Sequence, residues 1–249
     1  MSAVGIIPAR FRASRFPGKP LAKIAGRPMI AHVIEGARRS KRLREVIVAT
    51  DDERIAAAAA ALGAPVAMTS PAHATGTDRI AEAAAQLSDA IIVNVQGDEP
   101  LIEGFVIDAA LEALETDAEA PMASVVHRLE SFALADPNRV KVVLDARGRA
   151  LYFSRAPIPY RREDGPAPVW LQHVGLYAYR KPFLARFLAL APGEAERAEG
   201  LEQLRALEHG FAIRCARIEG WRSVPVDVPA DIARVEAILQ ALPSAARGR

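Results

Sequence analysis

Apolar positions along the 249-residue chain recur with two alternating periods. Short runs rich in branched apolar residues predict strands at 4–8, 46–49, 65–68 and 91–95. Between them, apolar residues spaced three and four apart predict helices. One helix is expected over 29–39, where Met29, Ile30, Val33, Ile34 and Ala37 share a face behind Pro28. A second is expected over 54–62, stopped by Gly63, and a third over 78–87, carrying Ile80, Ala84 and Leu87. Ile91, Ile92, Val93 and Val95 leave little alternation, as expected of a strand buried on both faces. Strand and helix in turn predict an α/β fold with a mostly parallel, doubly wound sheet flanked by helices.

The second half follows another rhythm. Strands are expected at 122–127, 140–144 and 150–154, the last two joined by a turn at 145–149, which suggests a hairpin-like excursion. Further strands are expected at 174–179 and 213–218. Leu201, Leu204 and Leu207 or Glu208 mark a helix between them, and a last helix is expected over 232–239. No Gly/Ser linker or fixed repeat divides the chain, so residues 1–249 read as one domain.

Composition narrows the partners. At 51% hydrophobic the chain can build one sizeable core. A net charge of +2, from 32 basic and 30 acidic residues, gives no global pull toward nucleic acid or membranes. The single cysteine, Cys215, excludes an intramolecular disulfide and lies in an alternating stretch that suits a buried structural thiol. The apolar start is broken by Pro8 and Arg10, and no apolar run reaches the ~18 residues of a membrane span. A cytoplasmic protein without a membrane partner is expected.

Candidate chemistry begins just past the first strand. Arg10, Arg12, Arg15 and Lys19 cluster in one loop, with Gly18 before the lysine and Pro17 and Pro20 stiffening it. Open α/β sheets bind ligands beyond the carboxyl ends of their strands, and fixed cations there suit a polyphosphate. Pro20 after Lys19 departs from the P-loop, and G-x-G-x-x-G is missing. The competing reading is a solvated basic loop. After strand 91–95 comes Gln96-Gly97-Asp98-Glu99-Pro100. Asp98 suits Mg²⁺, which takes oxygen ligands and keeps few protein groups beside substrate phosphates; a capping turn is the alternative. Gly97 lets backbone approach a ligand closely. Asp227, between Pro225 and Pro229, is a second ligand candidate, whereas Asp231 reads as the N-cap of the last helix. In Thr75-Gly76-Thr77-Asp78-Arg79, Thr77 or Asp78 can cap a helix, or the turn can read a base or phosphate. Arg155, His173, Tyr177, Glu202 and Gln203 form a late polar set. His173 and Tyr177, four apart in a strand, share a face, and Arg can clamp a carboxylate with two hydrogen bonds. Such a set suits a carboxylated polyol; a satisfied core histidine and a half-buried tyrosine are the alternative.

Together these segments resemble the 3-deoxy-manno-octulosonate (KDO) cytidylyltransferase, or CMP-KDO synthetase, family. The resemblance rests on 6–10 (Ile-Ile-Pro-Ala-Arg), 15–21, 26–30, 48–51, 93–100, 138–145, 150–155 (Ala-Leu-Tyr-Phe-Ser-Arg), 173–180 and 201–205 (Leu-Glu-Gln-Leu-Arg). It implies a Rossmann-like nucleotidyltransferase fold with a β-rich dimerisation excursion in the second half. It also implies transfer of CMP from CTP to KDO with Mg²⁺, a homodimer and a role in lipopolysaccharide biosynthesis. Carried over by position, Arg10, Lys19, Asp98 and Asp227 are the catalytic set, with Asp98 and Asp227 holding the metal. Pro8, Ala9, Arg10, Lys19, Thr75, Gly76 and Gln96 contact the nucleotide. Arg155, His173, Tyr177, Glu202 and Gln203 form the sugar pocket. Arg12 and Arg15 fall to flanking charge. The implied chemistry is attack of the sugar's anomeric hydroxyl on the α-phosphorus, by positioning and charge neutralisation, and two Mg²⁺ ions fit it. Ser70 stands where arginine is expected, Asp78 where glutamate is frequent, Ala178 where glycine is usual and Val228 where threonine is frequent. These departures leave two rivals: a cytidylyltransferase for another acidic sugar, an amino-KDO analogue or sialic acid, and a non-catalytic nucleotide-binding module.

Overall fold

The computed structural model describes residues 1–12 and 16–241, so Arg15 lies outside the described residues. The strands and helices run β1 (Ala3–Ala9), β2 (Lys23–Ile24), β3 (Arg27–Pro28), α1 (Met29–Arg38), β4 (Glu45–Thr50), α2 (Glu53–Ala61), β5 (Val66–Met68), α3 (Gly76–Ala84) and β6 (Ile91–Asn94). They continue as α4 (Gly104–Thr116), β7 (Met122–Arg128), β8 (Lys141–Leu144), β9 (Ala150–Ser154), β10 (Leu171–Arg180), α5 (Lys181–Ala189), α6 (Glu194–Glu199), α7 (Leu204–Glu208), β11 (Ile213–Ile218) and α8 (Asp231–Ala241). The fold is α/β with a mostly parallel sheet flanked by helices, as expected. Two compact units share the chain. An N-terminal unit comprises Val4–Ser88, Asn94–Phe105 and the chain from Ser223 on; a central unit comprises Met1–Ala3, Asp89–Val93 and Val106–Arg222.

In the N-terminal unit, β1 pairs with β4 in parallel from Val4↔Glu45 to Ala9↔Thr50, and β4 pairs with β5 in parallel. Val4, Ile6 and Ile7 are fully buried, so side chains on both faces of β1 leave water. Helix α1 buries Met29, Ile30, Val33, Ile34 and Ala37, the face read from the sequence. Each large aliphatic side chain so buried contributes about 1.5–3 kcal/mol. The Asp52 carboxylate caps α2 by accepting the Arg54 N–H at 3.0 Å. Helix α3 is capped by Thr75 rather than by Thr77 or Asp78. The Thr75 hydroxyl accepts the Asp78 N–H and the Asp78 carboxylate accepts the Thr75 N–H, a reciprocal box that starts the helix two residues early. The last segment returns here, where Val224, Val226 and Val235 pack with Ile24 and Met29. Asp231 is the first residue of α8, not its N-cap: its carboxylate reaches back to accept the N–H groups of Asp227 and Val228 at 2.8 and 2.9 Å.

In the central unit, β7 pairs in parallel with β11 and antiparallel with β10. Strands β8 and β9 form the expected antiparallel hairpin, and β8 continues onto β10 through Leu171↔Val142. Strand β10 shifts register between Val174 and Tyr177. Helices α4, α5 and α6 escaped the sequence reading. Of these, α4 is so apolar that Val106, Ile107, Ala110, Leu111 and Leu114 are all buried, which blurs its period. The helix expected to carry Leu201 begins only at Leu204. Gly200, left-handed at φ 61°, ends α6, and Leu201 to Gln203 form the turn between.

Candidate active site

The carboxyl ends of the N-terminal unit's strands open onto a cavity of about 260 Å³. It is lined by Pro8, Ala9 and Arg10 from the end of β1, Lys19 and Phe16 from the loop beyond, Thr75 and Gly76 at the start of α3, Gln96, Gly97 and Asp98 after β6, and Asp227. Every residue assigned from the sequence to the nucleotide or the metal therefore lines one cavity. Lys19 joins its parts. Its ammonium donates to the Asp98 carboxylate at 2.8 Å and to the Val226 carbonyl at 2.9 Å, with only 16% of the side chain exposed. The Val226 N–H in turn donates to the Asp98 carbonyl at 2.9 Å, which sets Asp227 beside Asp98. Gly97 is required by close approach, because a Cβ there would lie 2.9 Å from the Pro8 carbonyl oxygen. The Arg10 guanidinium donates to the Ala74 carbonyl at 3.3 Å, and the Gln96 amide donates to Asn94 at 3.2 Å.

Two contributors went unread in the sequence. Arg79 lines the cavity with its side chain 3% exposed, paired with Asp51 at 3.2 Å and bonded to the Thr69 hydroxyl. Its signal was available, since it follows Asp78 in the turn already singled out. Glu99 is buried beneath Asp98 and accepts from the Ser223 hydroxyl and the Val224 N–H. Burial, with repulsion from Asp98 and Asp227, pushes its carboxyl up to about 8 against the pull of those hydrogen bonds. Burial thus favours the uncharged form of Glu99 beside Asp98 and Asp227.

The late polar residues lie in the central unit. His173 and Tyr177 meet on β10, their ring centroids 5.3 Å apart, with the register shift of the strand lying between them. Phe153 of β9 meets His173 edge-on at 4.9 Å. Burial lowers His173 to about 3, and burial, then Tyr179 and Glu202, hold the Tyr177 phenol well above its usual range. His173 and Gln203 are 8% and 5% exposed, and the Nε2 atom of each has no hydrogen-bond partner among the described residues. Arg155, the expected carboxylate clamp, has its own partners within the protein. Its guanidinium donates to the carbonyls of Glu199 at 2.7 Å and Pro137 at 3.0 Å, and the Glu199 carboxylate accepts the Arg155 N–H at 2.9 Å. Arg155 thus ties the end of β9 to the turn that carries Glu202 and Gln203. Cys215 is buried, and burial pushes its thiol up to about 12, consistent with a structural thiol.

A cytidylyltransferase family model matches residues 4–218. A 3-deoxy-manno-octulosonate cytidylyltransferase of Anaeromyxobacter dehalogenans (strain 2CP-1) is 54% identical over 238 residues, covering 95% of this chain and 97% of its own. The chain belongs to the 3-deoxy-manno-octulosonate cytidylyltransferase family. The family member of Syntrophobacter fumaroxidans is 52% identical, covering 96% and 97% of the two chains. Among solved structures, a CMP:2-keto-3-deoxy-manno-octonic acid synthetase complexed with CTP superposes with a TM-score of 0.91 at 42% identity, covering 97% of this chain and all of that one. The cavity and the buried polar cluster are thus built on a family fold retained over nearly the whole chain.

Proposed function

We propose that the N-terminal cavity binds CTP and Mg²⁺, that the central cluster binds KDO, and that the chain transfers CMP between them to give CMP-KDO and pyrophosphate for lipopolysaccharide biosynthesis. The observation that carries this reading is the convergence of Arg10, Lys19, Thr75, Gln96, Asp98 and Asp227 on one cavity. Asp98 and Asp227 fit a hard divalent ion, which takes one or two carboxylates and completes its shell with phosphate oxygens. When bound, Mg²⁺ supplies charge neutralisation to the triphosphate. The sugar's anomeric hydroxyl attacks the α-phosphorus in line; its bond to phosphorus forms as the bond to pyrophosphate breaks, and the hydroxyl proton passes to solvent. Arg10 and Lys19 stabilise the charge that grows on the departing pyrophosphate. Thr75, Gly76 and Gln96 orient the nucleoside. In the central unit, the unmet Nε2 atoms of His173 and Gln203 are met by sugar hydroxyls, and Tyr177 and Glu202 complete the pocket. Arg155 braces that turn and supplies a guanidinium for the sugar carboxylate.

We read residues 1–249 as one functional domain, because the chain passes repeatedly between the two units. No described helix is long and apolar enough to cross a membrane, and we propose a cytoplasmic homodimer using the β8–β9 hairpin, where Leu151 is 60% exposed. The test is pyrophosphate release across a panel of nucleotides and acidic sugars, with Mg²⁺ present or chelated. Release with CTP and KDO only when the metal is present is expected. Silence with that pair, alongside release with another sugar, would replace the acceptor; silence with every CTP pairing would remove the activity.

A further inference from the structure

The loop that presents Arg10 and Lys19 is braced from outside the cavity. Its described arms are closed by one backbone hydrogen bond, from the Gly18 N–H to the Phe11 carbonyl at 2.8 Å. Gly18 is left-handed, at φ 73°, and a Cβ there would lie 3.1 Å from the edge of the Phe11 ring, so ring and glycine are in close register. Arg10 immediately precedes Phe11 and Lys19 immediately follows Gly18. A fixed Phe11 ring therefore steadies the backbone beside each of the two cations.

The Arg54 guanidinium lies 3.4 Å from the Phe11 ring centroid. Its plane is set by a fork onto Asp52: Nε donates to Oδ1 at 2.9 Å and Nη2 to Oδ2 at 2.7 Å. Asp52 is itself anchored as the N-cap of α2. We propose that Arg54 is a positioning residue for the triphosphate loop, stacked on Phe11 so that α2 holds Arg10 and Lys19 at the spacing a pyrophosphate needs. This rests on the reading of that cavity as the nucleotide site. Arg54 does not line the cavity and acts through Phe11 and Gly18. A cation over an aromatic face is attracted by the ring quadrupole, and a planar guanidinium adds stacking that an ammonium lacks.

The test uses the full chain and its Arg54→Ala, Arg54→Lys, Phe11→Leu and Arg54→Ala/Phe11→Leu variants, with Lys19→Ala as a reference. Calorimetry measures inorganic pyrophosphate binding, and steady-state kinetics measure KM for CTP and for KDO. Arg54→Ala and Phe11→Leu should each weaken pyrophosphate and raise KM for CTP about fivefold, an exposed cation–π contact's worth. KM for KDO and kcat should stay within about twofold by the same reckoning. Arg54→Lys should match Arg54→Ala, and the double variant should be no worse than either single one. Unchanged pyrophosphate affinity in Arg54→Ala would overturn the inference. So would an equal loss toward both substrates together with a lowered Tm, which marks general damage to the fold. The pyrophosphate arm needs neither CTP nor KDO turnover, so it judges Arg54 even where the assignment of nucleotide or sugar fails; that assignment stands or falls on turnover by the unmodified chain.

Discussion

In the N-terminal cavity the charged groups find partners within the protein, Lys19 on Asp98 and Arg79 on Asp51, whereas the central cluster leaves the Nε2 atoms of His173 and Gln203 unmet. The first site is open and ionic; the second is buried and mostly neutral at working pH, with His173 lowered to about 3 and Tyr177 raised. Charge can be held at the mouth of a sheet because water and counter-charges share its cost. A buried neutral group can wait only for a ligand that brings the missing hydrogen bonds. The ligands proposed for the two regions, a triphosphate and an acidic polyol, match these opposite environments.

Substitutions at the two sites should separate accordingly. Asp98→Ala should have the largest effect, lowering kcat by about 10³-fold or more, since a metal-borne charge contact is worth several kcal/mol, while the melting curve stays near normal. Circular dichroism and pyrophosphate release on one preparation check this. Near-normal turnover would remove Asp98 from the metal site. Gly97→Ala should strike both fold and activity, because its Cβ would sit 2.9 Å from the Pro8 oxygen. A cost of about 1–3 kcal/mol is expected in chemical denaturation, and an unchanged midpoint would contradict the close approach.

His173→Phe probes the buried site by pH. The ordinary histidine value is 6.5 and the folded value is about 3, so the unfolded chain binds the extra proton between them. The stabilising neutral form is fully present above pH 6.5 and is lost as pH falls through that window. The native chain should therefore lose up to about 2 kcal/mol between pH 6.5 and 5 from this group, and His173→Phe should lose correspondingly less. Parallel stability curves for the two chains would refute the buried neutral histidine. The smallest effect is expected of Gln203→Leu. It removes a donor already unmet in the free protein, so stability should hold, while KM for the sugar rises about tenfold, one hydrogen bond's worth. A changed KM for CTP in that variant would blur the division between the sites.

The same contrast decided what could be read in advance. The N-terminal cavity follows strand ends, and each of its parts is a contiguous phrase: Pro8-Ala9-Arg10, Thr75-Gly76, Gln96-Gly97-Asp98. Strand-end position is written in local periodicity, so the parallel half of the fold and its ligand edge were legible together. Asp231 was misread because a carboxylate at a helix start can accept from the turn behind it as readily as from the helix ahead. Thr75 is hard to read as a cap because the reciprocal box places the helix start at Gly76, four residues before the apolar face begins at Ile80. The buried cluster was legible only through the family resemblance. Its members come from a strand with a register shift and a turn between two helices, and nothing local says that they meet. The backbone carbonyls that Arg155 meets, of Glu199 and Pro137, are announced by no sequence pattern because they lie far from it along the chain.

The hydrogen bond from Lys19 to the Val226 carbonyl joins residues 207 positions apart, and Glu99 is sealed by Val224 from 125 positions downstream. During synthesis, every other wall of the N-terminal cavity leaves the ribosome before Asp227 does. A nascent or prematurely stopped chain therefore exposes the cationic loop without its second carboxylate and with Glu99 unsealed. The polypeptide thus completes this cavity only once Asp227 has emerged, long after the residues that form its other walls.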